Sequence, residues 1–118
     1  VYASMTAAGA LLEYLAHQEP GTAGAPDLVL AEAEMPAGTT LSECNEPSTW
    51  RETPYRPEVQ QVGADWLGSR RSLALRVPSA LVQGECNILL DPGHPGFAAL
   101  QLHGLVPLVL DRRLQSGR

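Results

Sequence analysis

The chain has 118 residues, with 8 basic side chains, all of them Arg, against 13 acidic ones, for a net charge of −5. That length is one domain, and an acidic chain without a basic run excludes direct binding of nucleic acid. Apolar residues make up 44 %, enough for a modest core, and no apolar run approaches the ~18 residues that a membrane span needs.

Val1, Tyr2 and Ala3 read as the end of a strand. Ser4 is then placed to cap a helix, predicted from about Met5 to His17, with Met5, Ala8, Leu11, Leu12 and Leu15 on its buried face. Gly9 costs that helix ~1 kcal/mol relative to Ala and admits a close neighbour. Pro20 and Gly21 end it, and Gly21 to Pro26 read as a flexible loop. Leu28 to Glu34 read as a strand, apolar first and alternating later, expected to run centrally in a sheet and then emerge. Thr39 to Leu41 make a short strand. Pro47, Pro54 and Pro57 exclude a long helix before residue 57, leaving room for one turn at Ser48 to Arg51.

A second helix is predicted from Pro57 or Glu58 to Leu67, with Val59, Val62, Trp66 and Leu67 as its apolar stripe and Gly68 as its end. Leu73 to Val77 and Cys86 to Leu90 read as strands, with a break at Gln83-Gly84 between them. Asp91-Pro92-Gly93 signals a turn, Pro95 to Ala98 a helical turn, and Leu100 to His103 with Leu105 to Leu110 the last strand segments. Arg112 to Arg118 read as a loose tail. The sum is an α+β class domain, a single compact mixed sheet of about five strands with two main helices.

Generic motifs name no chemistry here. Cys44, Cys86 and the scattered His17, His94 and His103 lack the spacing of a metal site. Two reduced thiols are the expected state of the cysteines, although spacing alone does not forbid a pair. By pattern, Glu13 between Leu12 and Tyr14 belongs to a solvated helix face, His17 to a helix C-terminus that favours a cation, Asn87 to a structural role, His94 to a structural turn, and His103 to the surface. Trp50 and Trp66 read as core or interface anchors. Arg70-Arg71, Glu32 with Glu34 and Glu43 with Glu46 read as solvated surface.

Three stretches taken in order change that picture. They are Val1-Tyr2-Ala3-Ser4 followed by Ala8 to His17; Val62 to Leu67 with Ser72 to Val82; and Asn87 to Phe97. Together they resemble the RES domain family, the toxins of RES–Xre toxin–antitoxin pairs, over residues 1–111. The family is named for an Arg, a Glu and a Ser. The Glu is matched by Glu13, the Ser by Ser79, and a further family Tyr by Tyr2. The family Arg lies upstream of that Tyr, in a segment the sequence does not include, and no Arg here stands in its order or context. Asp91 stands where the family has Asn.

The resemblance implies a fold like that of ADP-ribosyltransferases and consumption of NAD, with no metal. In that chemistry a carboxylate beside the ribose stabilises the oxocarbenium-like centre that forms as nicotinamide leaves. Glu13 is the expected carboxylate. Ser79 is expected to bond a carboxamide or ribose hydroxyl, and Tyr2 to stack on the nicotinamide or wall the pocket. The expected reaction is hydrolysis or phosphorolysis of NAD. ADP-ribose transfer to a protein is the alternative, and a second alternative is a RES-fold piece that binds without catalysing. The implied partner is an Xre-like helix-turn-helix antitoxin that would carry the DNA contact, with a homo-oligomer possible through that complex. No membrane is involved, and the expected compartment is the cytoplasm.

Overall fold

The computed structural model describes residues 1–18, 27–44, 46–54 and 56–114. The loop expected at residues 21–26 and the last four residues of the expected tail lie outside them. Six strands and two helices follow in the order β1 (Tyr2–Ser4), α1 (Ala7–Ala16), β2 (Leu28–Glu34), β3 (Leu41–Glu43), α2 (Pro57–Ser69), β4 (Ala74–Pro78), β5 (Cys86–Leu90) and β6 (Gln101–Leu108). Short 3₁₀ turns cover Pro95–Ala99 and Arg112–Leu114. The class is α+β, but the strands form two sheets rather than one. A four-stranded sheet runs β1-β5-β4-β3, and β2 pairs with β6 alone.

The four-stranded sheet is mixed. β5 is antiparallel to both of its neighbours, while β3 lies parallel to β4, which requires a crossover, and α2 supplies it. Alternation sorts the side chains. Leu75 and Val77 of β4 join Trp50 and Trp66 in one core cluster, with Leu89, Val59 and Val62 packed on it. Ala74 of β4 and Ile88 and Leu90 of β5 face the other way, into a second cluster with Leu73, covered by Met35, Phe97 and Leu100. Both tryptophans are therefore core residues, and their indole N–H groups are satisfied inside. Trp50 donates to the Pro78 carbonyl (2.7 Å) and Trp66 to Ser72 Oγ (2.9 Å), as buried indoles require.

Several expected boundaries move for local reasons. Thr6, not Ser4, caps α1, its Oγ1 accepting from the Gly9 N–H (3.0 Å), because Ser4 is taken up by β1. Met5 is 61 % exposed and Leu12 42 %, so the predicted apolar stripe is not the buried one; the buried residue of α1 is Glu13. Gly9 does admit a neighbour: a Cβ there would stand 3.1 Å from Thr6 Oγ1 and 3.4 Å from the Ser4 Cβ. α2 runs through Gly68 to Ser69 and stops at Arg70, which takes the left-handed conformation (φ 56°). The short third strand falls at Leu41–Glu43 rather than Thr39 to Leu41.

The largest difference concerns β2. Expected in the centre of a sheet, it pairs with a single strand. Its register with β6 slips between Glu32 and Ala33, so that Gly104 faces Glu32 and Leu102 faces Ala33. His103 is the extra residue of this bulge, which merges the two expected final segments into one strand. One face of the pair carries Val29, Ala31, Ala33, Leu102, Leu105 and Pro107, all exposed. Among the described residues, no helix is long and apolar enough to cross a membrane.

Candidate active site

The face of the four-stranded sheet that packs against the tryptophan cluster turns polar at one end. Leu75 and Val77 lead, at the same alternation, to Ser79, whose N–H continues the ladder to the Glu85 carbonyl (2.8 Å). Across the sheet, Val77 stands opposite Asn87, and Asn87 opposite Ser4. Tyr2, two residues before Ser4, shares its side of the strand. The strands thus deliver Ser79, Asn87, Ser4 and Tyr2 to one surface, and α1 sets Glu13 against it.

Glu13 is 9 % exposed, Ser79 4 % and Asn87 3 %. A buried carboxylate needs partners, and it has them. Glu13 Oε1 accepts from Asn87 Nδ2 (2.8 Å) and from Ser79 Oγ at a longer 3.3 Å. The same Asn87 Nδ2 donates to the Tyr2 hydroxyl (2.8 Å), and Ser4 Oγ donates to Asn87 Oδ1 (2.9 Å). Ser79 Oγ also accepts from the N–H groups of Leu81 and Val82 (3.1 Å each), so it shapes the turn after β4 while its hydrogen points at the carboxylate.

His17 caps the C-terminal end of α1. Its Nδ1 donates to the Glu13 carbonyl (2.7 Å) and lies 4.0 Å from Glu13 Oε2. A carbonyl only accepts, so Nδ1 carries a proton. The imidazole therefore serves the helix end, as expected, and also stands beside the carboxylate.

Glu13 lies between two recesses. One, of about 190 Å³, is lined by Gly9, Leu12, Ser79, Cys86 and Asn87 among others. The other, of about 410 Å³, runs between Tyr2, Ser4, Ala10, Tyr14 and His17. Tyr2 is half exposed and walls the second recess. A carboxylate buried between two open recesses, with one oxygen held by donors, retains further lone pairs for a ligand.

The structure thus brings Tyr2, Glu13 and Ser79 to one place. It does not support the reading of Glu13 as a solvated helix residue, and it ties Asn87, read as structural, to Glu13, Tyr2 and Ser4. Asn87 and Ser4 are the two members of this cluster that sequence reasoning missed. Their signal was the alternation itself, since Asn87 interrupts an apolar strand on the side that should be buried. The other histidines, Asp91 and the acidic pairs behave as surface or turns. His94 Nδ1 accepts from the Gly96 N–H (2.9 Å), Asp91 Oδ1 from the Gly93 N–H (2.9 Å), and Glu32, Glu34, Glu43 and Glu46 are exposed. Asp91 makes the same kind of turn bond that Asn would. Cys44 and Cys86 are unpaired thiols on opposite sides of β4, and two inter-strand spacings put their backbones ~9.5 Å apart, too far for a disulfide.

Comparison with known proteins shows the family. The RES domain family matches residues 1–111. The chain is 36 % identical over 98 residues to Toxin Res of Yersinia enterocolitica serotype O:8 / biotype 1B (strain NCTC 13174 / 8081), covering 82 % of this chain and 64 % of that protein. It is 30 % identical over 123 residues to the Prs ADP-ribosylating toxin of Sphingobium sp. (strain YBL2), covering 97 % of this chain and 73 % of that protein. The chain belongs to the RES domain family.

Proposed function

We propose that this member of the RES domain family is the toxin of a toxin–antitoxin pair and cleaves NAD at the nicotinamide–ribose bond. The single observation that carries the reading is the burial of Glu13 beside Asn87, Ser79 and Tyr2, between two recesses. Both relatives described above are named toxins, and one name specifies ADP-ribosylation. ADP-ribosylation consumes NAD and breaks this bond.

The chemistry asks for little machinery. The bond from the ribose C1′ to the nicotinamide nitrogen breaks, and its electron pair leaves with nicotinamide. Positive charge develops on the ribose. A fixed carboxylate in a site of limited water stabilises that charge more than water would, because its orientation is set before the reaction. Glu13 takes this role. One of its oxygens is anchored by Asn87 and Ser79, and its other lone pairs remain for a ribose hydroxyl, a bond that strengthens as the charge grows. Tyr2 presents a half-exposed ring to the same recess, suited to stacking on nicotinamide. An incoming oxygen then bonds C1′ and releases its proton.

Water or inorganic phosphate as the acceptor gives degradation of NAD, the reading favoured here. A protein nucleophile gives ADP-ribose transfer, which the name of the Sphingobium relative favours. The implied partner is an Xre-like helix-turn-helix antitoxin, which would supply the DNA contact that a chain of net charge −5 does not. The compartment would be the cytoplasm.

The experiment is to incubate the protein with NAD, with and without phosphate, and follow nicotinamide and the ribose product. Free ADP-ribose, or its phosphate ester when phosphate is present, supports degradation. Label from NAD on protein, without free product, supports transfer. No nicotinamide release under any of these conditions overturns the enzyme reading and leaves a binding module.

A further inference from the structure

Asn87 bonds three other side chains of the site, those of Ser4, Tyr2 and Glu13, yet nothing in the reaction requires it to touch NAD. It is 3 % exposed and uses its whole carboxamide. Both Nδ2 hydrogens are spent, one on Glu13 Oε1 and one on the Tyr2 hydroxyl (2.8 Å each), and Oδ1 accepts from Ser4 Oγ (2.9 Å). Its backbone is equally fixed, because β5 is an inner strand with Ser4 of β1 on one side and Val77 of β4 on the other. The direction of the amide follows from chemistry rather than from its outline. An ionised carboxylate only accepts, so Nδ2 must face Glu13. Ser4 then donates to Oδ1, and the phenol oxygen of Tyr2 is an acceptor, which turns the phenol's own hydrogen away from Asn87.

We propose that Asn87 is the positioning residue of this site: its carboxamide, oriented by Ser4, locks the Glu13 carboxylate and the Tyr2 phenol into one arrangement. The role rests on the reading of Glu13 as the group facing the ribose. Without this tie, α1 and β1 would present their side chains independently. The Glu13 side chain has three rotatable bonds, and a carboxylate that must be fixed before charge develops loses its advantage if it swings. A charge-assisted bond from a buried amide is a strong tie for this purpose. Ser79 at 3.3 Å is a weaker second one.

The test separates this tie from ordinary packing by reversing its polarity. Asn87→Asp keeps the shape but sets two carboxylates face to face. Its melting temperature should fall by ~5 °C or more. Adding Glu13→Gln to Asn87→Asp restores a donor and an acceptor with the roles exchanged, and should recover most of that loss, although Glu13→Gln alone should not raise the melting temperature of the parent. Recovery supports the tie. An Asn87→Asp loss that Glu13→Gln leaves unchanged overturns it.

With NAD, Asn87→Ala should lower kcat at least tenfold while KM changes less than threefold, and the isosteric Asn87→Asp should be slower still. A raised KM with kcat preserved would make Asn87 a direct NAD contact, and Asn87→Asp faster than Asn87→Ala would reduce it to a filler of space. Either result overturns the proposal. A parent protein that releases no nicotinamide overturns the reading of the site itself. A failed polarity swap beside normal release overturns the role of Asn87 alone.

Discussion

The four-stranded sheet and the β2–β6 pair are built from similar sequence, and they end in opposite environments. Leu73-Ala74-Leu75 is buried, whereas Val29, Leu102, Leu105 and Val106 are each more than half exposed. Apolar alternation makes both regions strands, but it does not say what covers them. The four-stranded sheet has α2, α1 and the Pro95–Ala99 turn against its faces; the β2–β6 pair has open edges among the described residues. The candidate site lies in the covered region, where polar groups can be held in fixed positions. Burial makes such groups costly unless they bond one another, and this is why Glu13, Asn87 and Ser79 form one network.

The comparison predicts a gradient of mutational effect. Trp66→Ala should be the most damaging to stability, by about 3–5 kcal/mol, because it empties the centre of the covered face and removes one of the partners of Ser72. Chemical denaturation of the purified variant measures it; a loss below 1 kcal/mol would mean that the tryptophan cluster is not the core. Ser79→Ala should cost about 1 kcal/mol, since the Leu81 and Val82 N–H groups lose their acceptor. It should also slow nicotinamide release at temperatures where the variant is fully folded.

Cys44 reports the same gradient without a substitution. Burial, with the nearby Glu46 charge, pushes its thiol above the usual cysteine range of 9.0. Its alkylation by iodoacetamide should be slow at pH 8 and speed up as pH rises past that value, as mass spectrometry of the labelled site would show. The linked effect on folding has a defined sign. The folded chain keeps the proton to higher pH than the unfolded chain, so this stability contribution is complete below pH 9 and declines as pH rises through the folded pKa. At the weak end of the scale, Leu105→Ser should change stability by less than about 0.5 kcal/mol, because the side chain is already in water. A loss comparable to that of Trp66→Ala would show that this face is covered in solution.

How much of this was legible in the sequence depended on whether a signal was local. α2 began where Pro57 said it would, and β5 ran over Cys86–Leu90 as read. Ser4 misled because a strand and a helix cap competed for one residue, and pairing with Asn87 won. The burial of Glu13 was invisible in the helical pattern, which pointed to Met5 and Leu12 instead. It depends on contacts 66 and 74 residues away, to Ser79 and Asn87. Only resemblance to a family marked Glu13 and Ser79, while alternation put Asn87 on the buried side and the pairing of β1 with β5 disclosed its partners. The central place assigned to β2 failed for a related reason, since an apolar run is the same in a buried strand and in an exposed one.

The most direct test of the whole account is nicotinamide release from NAD by the protein and by Glu13→Gln, a variant that keeps the shape of the side chain and an acceptor for Asn87. The account predicts release by the parent and a loss of at least ~100-fold in Glu13→Gln at unchanged melting temperature. Equal release by the two proteins would contradict it.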